Sequence, residues 1–172
     1  MKRLLMAAGA IFIISQSFAQ QTDEITNKNS WLKAGIEASV PVGDISNFSS
    51  FAAGIDLSGQ FMETNHFGLG IVTGYTQFFP KSGFDGFGTV PLGLMLRYYP
   101  MHKGFFFGTD LGYTFLTNSD NSSGGFYIKP QAGYHNYNWN FFGFYNQVFT
   151  GSGNVDVQNI GVAATYNIHF KQ

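Results

Sequence analysis

The 172-residue sequence has no cysteine and only 11% charged residues. Without cysteine there is no disulfide staple and no thiol to carry the lipid of an exported lipoprotein: residue 16 is Gln. Ordinary soluble domains carry about a quarter charged residues, so this chain either hides most of its surface or does not face water with it. A net charge of −1 with no run of like charges leaves no electrostatic footprint for nucleic acid. Long apolar runs are also lacking. The only one, Leu4 to Ile14, follows Lys2 and Arg3 and precedes the small-residue exit Ser17-Phe18-Ala19. It is too short for a spanning helix, which needs roughly 20 apolar residues. The pattern predicts a secretory signal peptide over 1–19, cleaved after Ala19. Removing Lys2 and Arg3 leaves seven basic and ten acidic residues, a net charge of −3. A membrane protein built from the rest does not span with helices.

What the sequence has in excess is rings. Aromatics make up 18% of it, as 20 Phe, 9 Tyr and 2 Trp, a composition that excludes disorder. After a polar lead over 20–29 the hydrophobic period becomes two, in segments bounded by turn-forming clusters. Eight strands are expected. The first is Ser30 to Val40, with Leu32, Ala34, Ile36, Ala38 and Val40 against Lys33, Gly35, Glu37 and Ser39. The second, Phe51 to Met62, sets Ile55, Leu57 and Phe61 against Asp56, Ser58 and Gln60; the third is Phe67 to Phe79. In the fourth, Val90, Leu92, Leu94, Leu96 and Tyr98 alternate with Pro91, Gly93, Met95, Arg97 and Tyr99. Gly104 to Leu116, Phe126 to His135, Trp139 to Phe149 and Val155 to Phe170 complete the set. The third and seventh leave their phase open, the seventh because it is aromatic on both faces.

Connections alternate between long polar loops (Pro41 to Ser50, Pro80 to Gly88, Asn118 to Gly125, Thr150 to Asn154) and tight turns (Thr64 to His66, Pro100 to Lys103, Asn136 to Asn138). An even strand count, segments near ten residues, and long loops at one end only are the pattern of an outer-membrane barrel. The fold expected over 30–172 is all-β, a closed eight-stranded antiparallel up-and-down transmembrane barrel. Both termini then lie at the short-turn, periplasmic end.

Alternation alone leaves open a soluble lipocalin-like barrel, in the periplasm or secreted, with its apolar face inward. Against it, the polar phase is mostly Gly, Ser, Thr, Asn and Gln with few ions, which suits a lumen better than a wetted surface. The aromatics also gather near strand ends, where interfacial girdles belong. Tyr98, Tyr99, Phe105, Phe107, Tyr137, Trp139 and Phe170 fall at the short-turn end. Phe51, Phe78, Phe79, Phe115, Phe126 and Phe149 fall at the long-loop end. Strands in hydrocarbon must close into a ring, because an unpaired backbone group there costs several kcal/mol.

On this pattern, over Ser30 to Phe170, the chain resembles the small eight-stranded outer-membrane barrels typified by the OmpA transmembrane domain and OmpX. Many members end in an aromatic residue read by the barrel-assembly machinery; here Tyr166, Ile168 and Phe170 are followed by Lys171 and Gln172, which displaces that signal by two residues. The resemblance implies delivery to the outer membrane by that machinery, contact with its lipid and lipopolysaccharide, and a monomeric state.

Eight strands enclose a space that their own side chains fill. The ions expected inside are Lys33, Arg97 and Lys129 against Glu37, Asp56 and Asp110, a balance that favours an internal ion-pair network. Its bland role is to fill and rigidify the barrel; the sharper one is a narrow gated pore. Some barrels of this size modify lipid A with a His-centred site at the outer leaflet, but His66, His102, His135 and His169 all map to the periplasmic end, and no Ser sits beside any of them. No enzyme activity is expected. The histidines lack compact metal-ligand spacing, and Asn118-Ser119-Asp120-Asn121 lacks the regular spacing and terminal Glu of a calcium loop. Gly83 to Gly88 has no Lys and no following helix with which to cradle phosphate. Its Phe84 and Phe87 are candidates to touch lipid or a surface partner. No cofactor is expected, and function falls to the loops.

Overall fold

The computed structural model describes residues 30–62, 64, 66–118, 123–151 and 154–169, apart from the side chains of Ser30, Trp31 and His169. The expected signal peptide, the polar lead, most of the Asn118 to Asn121 segment and Phe170 to Gln172 lie outside the described residues. Eight strands follow one another: β1 (Ser30–Pro41), β2 (Ser49–Met62), β3 (Phe67–Pro80), β4 (Phe87–Tyr98), β5 (Gly104–Thr117), β6 (Gly124–His135), β7 (Trp139–Phe149) and β8 (Val157–His169). Each pairs antiparallel with its sequence neighbour, and β8 returns to β1 from Trp31↔His169 to Pro41↔Asn159, closing the barrel. This is the expected all-antiparallel, up-and-down topology, and closure leaves no edge.

Several strands run further into the long loops than the hydrophobic pattern suggests. β2 begins at Ser49, β4 at Phe87 and β6 at Gly124, because ladder pairing continues past the last residue that must be apolar. β8 begins two residues later than expected, at Val157. Asp156 is instead held in the loop, accepting from the Thr150 backbone N–H at 3.0 Å and from Gln147 Nε2 at 3.2 Å. The β1–β2 loop folds into a short 3-10 helix (Gly43–Asn47) that buries Ile45.

Phase follows from register. In β3, odd residues from Phe67 to Phe79 face outward, so Val72 and Phe78 point in. In β7, Trp139 and Phe141 face outward while Asn140, Phe142 and Phe144 point in. Two expected girdle residues are therefore misplaced: Phe78 and Tyr99 are both buried. Alternation carries them inward, Phe78 two residues after Thr76 and Tyr99 two residues after Arg97. Ring chemistry alone does not distinguish the two sides of a wall.

Candidate functional site

The outward phase is apolar on every strand. Ile36, Ile71, Phe105 and Val162 are each 64% or more exposed, and Leu92, Leu94, Phe107 and Ile160 are all more than half exposed. A lipocalin-like barrel would carry this phase inward, so the geometry runs against the soluble alternative. Of the thirteen expected girdle aromatics, nine are exposed on the outer face: Tyr98, Phe105, Phe107 and Trp139 at the short-turn end, Phe51, Phe79, Phe115, Phe126 and Phe149 at the long-loop end. They occur in cross-strand sets. Phe51 stacks on Phe79 at 6.1 Å, Phe126 on Phe149 at 6.3 Å, and Tyr98 tilts against Phe67 at 4.9 Å.

Inside, the six expected ions share the lumen because each lies on the inward phase of its strand. Arg97 Nη1 donates to Asp110 Oδ1 at 2.8 Å across the β4–β5 ladder. Lys129 Nζ reaches Glu37 Oε2 at 2.6 Å and Asp56 Oδ2 at 3.5 Å, and lies 4.3 Å from the centre of the Phe144 ring. Lys33 meets neutral oxygens, Tyr99 Oη at 3.2 Å and Asn140 Oδ1 at 3.5 Å. The second oxygens of Glu37 and Asp110 are also engaged: Thr76 donates to Glu37 Oε1 at 2.5 Å and Gln131 Nε2 to Asp110 Oδ2 at 2.7 Å. Buried charges in such a site are stable only when paired and hydrogen-bonded.

The sequence reading missed what lies above and below this layer. Towards the short turns, Met62, Tyr99, Phe106, Phe142, Phe144 and Ala163 form one apolar cluster; towards the long loops, Ala52, Phe78, Tyr127, Val148 and Val157 form another. The interior is thus an ionic layer between two largely apolar stoppers, not polar throughout. The cavities within it are small, about 30 Å³ beside Lys129 and about 10 Å³ beside Lys33. The signal for the stoppers was the inward phase of Phe78, Tyr99 and Tyr127, each one inward step from Thr76, Arg97 and Lys129 respectively.

The histidines are not all solvated turn residues. His135 is fully buried; its Nε2 lies 3.1 Å from the Met101 carbonyl and its ring centre 4.6 Å from that of Tyr99. His66 Nδ1 lies 2.9 Å from the Tyr99 carbonyl. Both brace the β4–β5 turn. At the other end, Phe87 does not face a partner: it stacks on Phe78 at 4.6 Å, against the upper stopper. Phe84 stays exposed and meets Phe48 edge-on at 5.0 Å. Lys81 fastens these two loops together, donating Nζ to the Ser46 carbonyl at 2.6 Å and its backbone N–H to the Phe48 carbonyl at 2.8 Å.

An apolar outer wall, eight antiparallel strands and a side-chain-filled lumen define the architecture. Its fold is that of the small outer-membrane barrels. Among solved structures it is similar to Ail, the attachment invasion locus protein of Yersinia pestis, at 14% identity over 82% of this chain and 99% of that one, TM-score 0.57. It is likewise similar to Neisserial surface protein A (15%, 82% and 97%, TM-score 0.53) and to the outer membrane protein OprG from Pseudomonas aeruginosa (15%, 84% and 98%, TM-score 0.52). At these identities the likeness is one of fold. No protein-family model and no curated protein sequence matches the chain.

Proposed function

We propose that this protein is a non-enzymatic integral barrel of the bacterial outer membrane, with a closed lumen and a structural or surface-interaction role carried by its long loops. The observation that carries this reading is the combination of an apolar outer wall with an interior stoppered on both sides of a paired ionic layer. The outward residues suit hydrocarbon and the exposed aromatic sets suit its two interfaces. Under this reading residues 1–19 are removed on export, the barrel-assembly machinery inserts the chain, and lipid and lipopolysaccharide surround it as a monomer. The joined β1–β2 and β3–β4 loops, with Phe48 and Phe84 exposed at their tip, are the surface on which a partner would act.

A gated pore is the competing use of the same lumen, and conductance separates the two. Chain reconstituted in planar lipid bilayers is expected to give no stepwise currents. Discrete openings that change when Arg97 or Asp110 is replaced would establish the pore instead.

A further inference from the structure

The long-loop end carries its charge unevenly. Among the described residues Asp44, Asp85 and Asp156 stand there against Lys81 alone, and the Lys81 ammonium is committed to the Ser46 carbonyl at 2.6 Å. Two of the three acids line one cleft of about 630 Å³ between the β1–β2 and β7–β8 loops, a volume in the usual range of ligand sites. Asp44 forms one side of it. Asn154, Asp156 and Gln158, with the apolar Phe149 and Val155, form the other. No lysine, arginine or histidine among the described residues lines it.

Both sides of the cleft are fixed before anything binds, which lowers the cost of binding. The Val42 N–H donates to the Gln158 carbonyl at 2.9 Å and ties the β1–β2 loop to β8. Gly43 has a φ of 65°, and a Cβ there would collide with the Gln158 side-chain amide, so only glycine lets that amide lie across the loop. Asp156 accepts from the Thr150 N–H, the Thr150 hydroxyl and the Gln147 amide. That pins the β7–β8 loop and engages both oxygens of Asp156. Asp44 is exposed, and neither its carboxylate nor the Gln158 side-chain amide has a hydrogen-bond partner among the described residues.

A cleft with two carboxylates and no cation attracts a positive group, and its walls select which. A calcium ion takes about six to eight oxygens, whereas here Asp44 alone has uncommitted carboxylate oxygens. A guanidinium uses what is present. Asp44 can take two of its N–H groups side by side, the Gln158 and Asn154 side-chain oxygens can take others, and its flat face suits the Phe149 and Val155 wall. We propose that this cleft receives an arginine side chain of a polypeptide partner, paired to Asp44. The proposal rests on the reading of the long loops as the interaction surface and gives that surface a charged anchor. Phe48 directly follows the Gly43–Asn47 helix that carries Asp44, so the exposed Phe48 and Phe84 pair continues the same surface beside it.

Fluorescence anisotropy tests it, with the chain folded in phosphocholine nanodiscs, whose lipid has no net charge, and titrated into labelled acetyl-hexa-arginine amide or its hexa-lysine counterpart. The arginine peptide is expected to bind about tenfold more tightly than the lysine peptide, since only the guanidinium fits both the carboxylate fork and the flat wall. Asp44→Asn is expected to weaken the arginine peptide about tenfold, the loss of one charge-assisted hydrogen bond. Asp85→Asn removes the same charge from the same end without touching the cleft, and is expected to leave the affinity within about twofold. Should Asp44→Asn fail to fold, Gln158→Met reads the same cleft and is expected to weaken the arginine peptide. Equal losses in Asp44→Asn and Asp85→Asn, equal binding of the two peptides, or no binding to the folded barrel overturns the proposal. Binding that ignores Asp44 but is lost in Phe84→Ala overturns the cleft and keeps the loops as the interaction surface. The membrane reading fails separately, if the chain folds without lipid or detergent, and the same titrations then run in buffer.

Discussion

Lys129 on β6 reaches across the lumen to Glu37 on β1, Nζ to Oε2 at 2.6 Å, joining two strands that share no backbone ladder. Asp56 on β2 takes the same ammonium at 3.5 Å. Lys129 thus ties β6 to the opposite wall of the barrel. Arg97 and Asp110 pair between the neighbouring strands β4 and β5 and do not replace that tie.

Lys129→Met keeps the length of the side chain and removes its charge, leaving Glu37 and Asp56 without their shared cation. Breaking a buried pair on one side costs about 3–5 kcal/mol, and urea unfolding in detergent micelles should register a loss of that size. Adding Glu37→Gln should recover part of it, because one stranded carboxylate is then neutral. A Lys129→Met barrel as stable as the parent would mean that the ammonium is dispensable.

The outer wall makes the opposite prediction from a wetted surface. Ile71 is 64% exposed in the middle of β3. A Lys at the bilayer midplane on the lipid face costs about 2–4 kcal/mol, whereas a solvent-exposed substitution away from special features stays within about 0.5 kcal/mol. Equilibrium unfolding of Ile71→Lys in lipid vesicles should show the larger loss. A change within the smaller range contradicts lipid exposure at that position.

Gly93 lets the Tyr127 ring lie close against the wall. A Cβ at position 93 would come 2.6 Å from the Tyr127 hydroxyl and 2.5 Å from the Leu111 carbonyl oxygen. Backbone cannot move aside as a side-chain tip can, so Gly93→Val should lower the folded yield and displace Tyr127 from the upper stopper. Refolding yield on a gel, with tryptophan and tyrosine near-ultraviolet circular dichroism, reads both effects. Equal yield and an unchanged aromatic signal would contradict the packing described.

The strand count, their order, the loop asymmetry and the inward placement of all six ions were legible in the sequence, because apolar residues alternate with polar or small ones on β1, β2, β4, β5 and β6, the strands that carry those ions. The stoppers were not. Phe78, Phe142 and Phe144 are as apolar as their outward neighbours, and an aromatic residue suits a packed lumen and a lipid interface equally well. Only register resolves them: Phe142 pairs with Ala163 and Gly133, residues of the inward phase. The role of His135 was hidden for a related reason. Its position at a strand end suggested solvent, but the inward phase buries it beneath Tyr99 and Phe106.

Under the proposed function the apolar face of this closed barrel points outward into a membrane. The most direct test is to refold the chain with and without detergent micelles, and to run each sample on a denaturing gel before and after boiling. A lipid-facing wall predicts a faster-migrating unboiled band that appears only with detergent and disappears on boiling. A chain that folds and stays monodisperse in buffer alone, with no such shift in micelles, would contradict it.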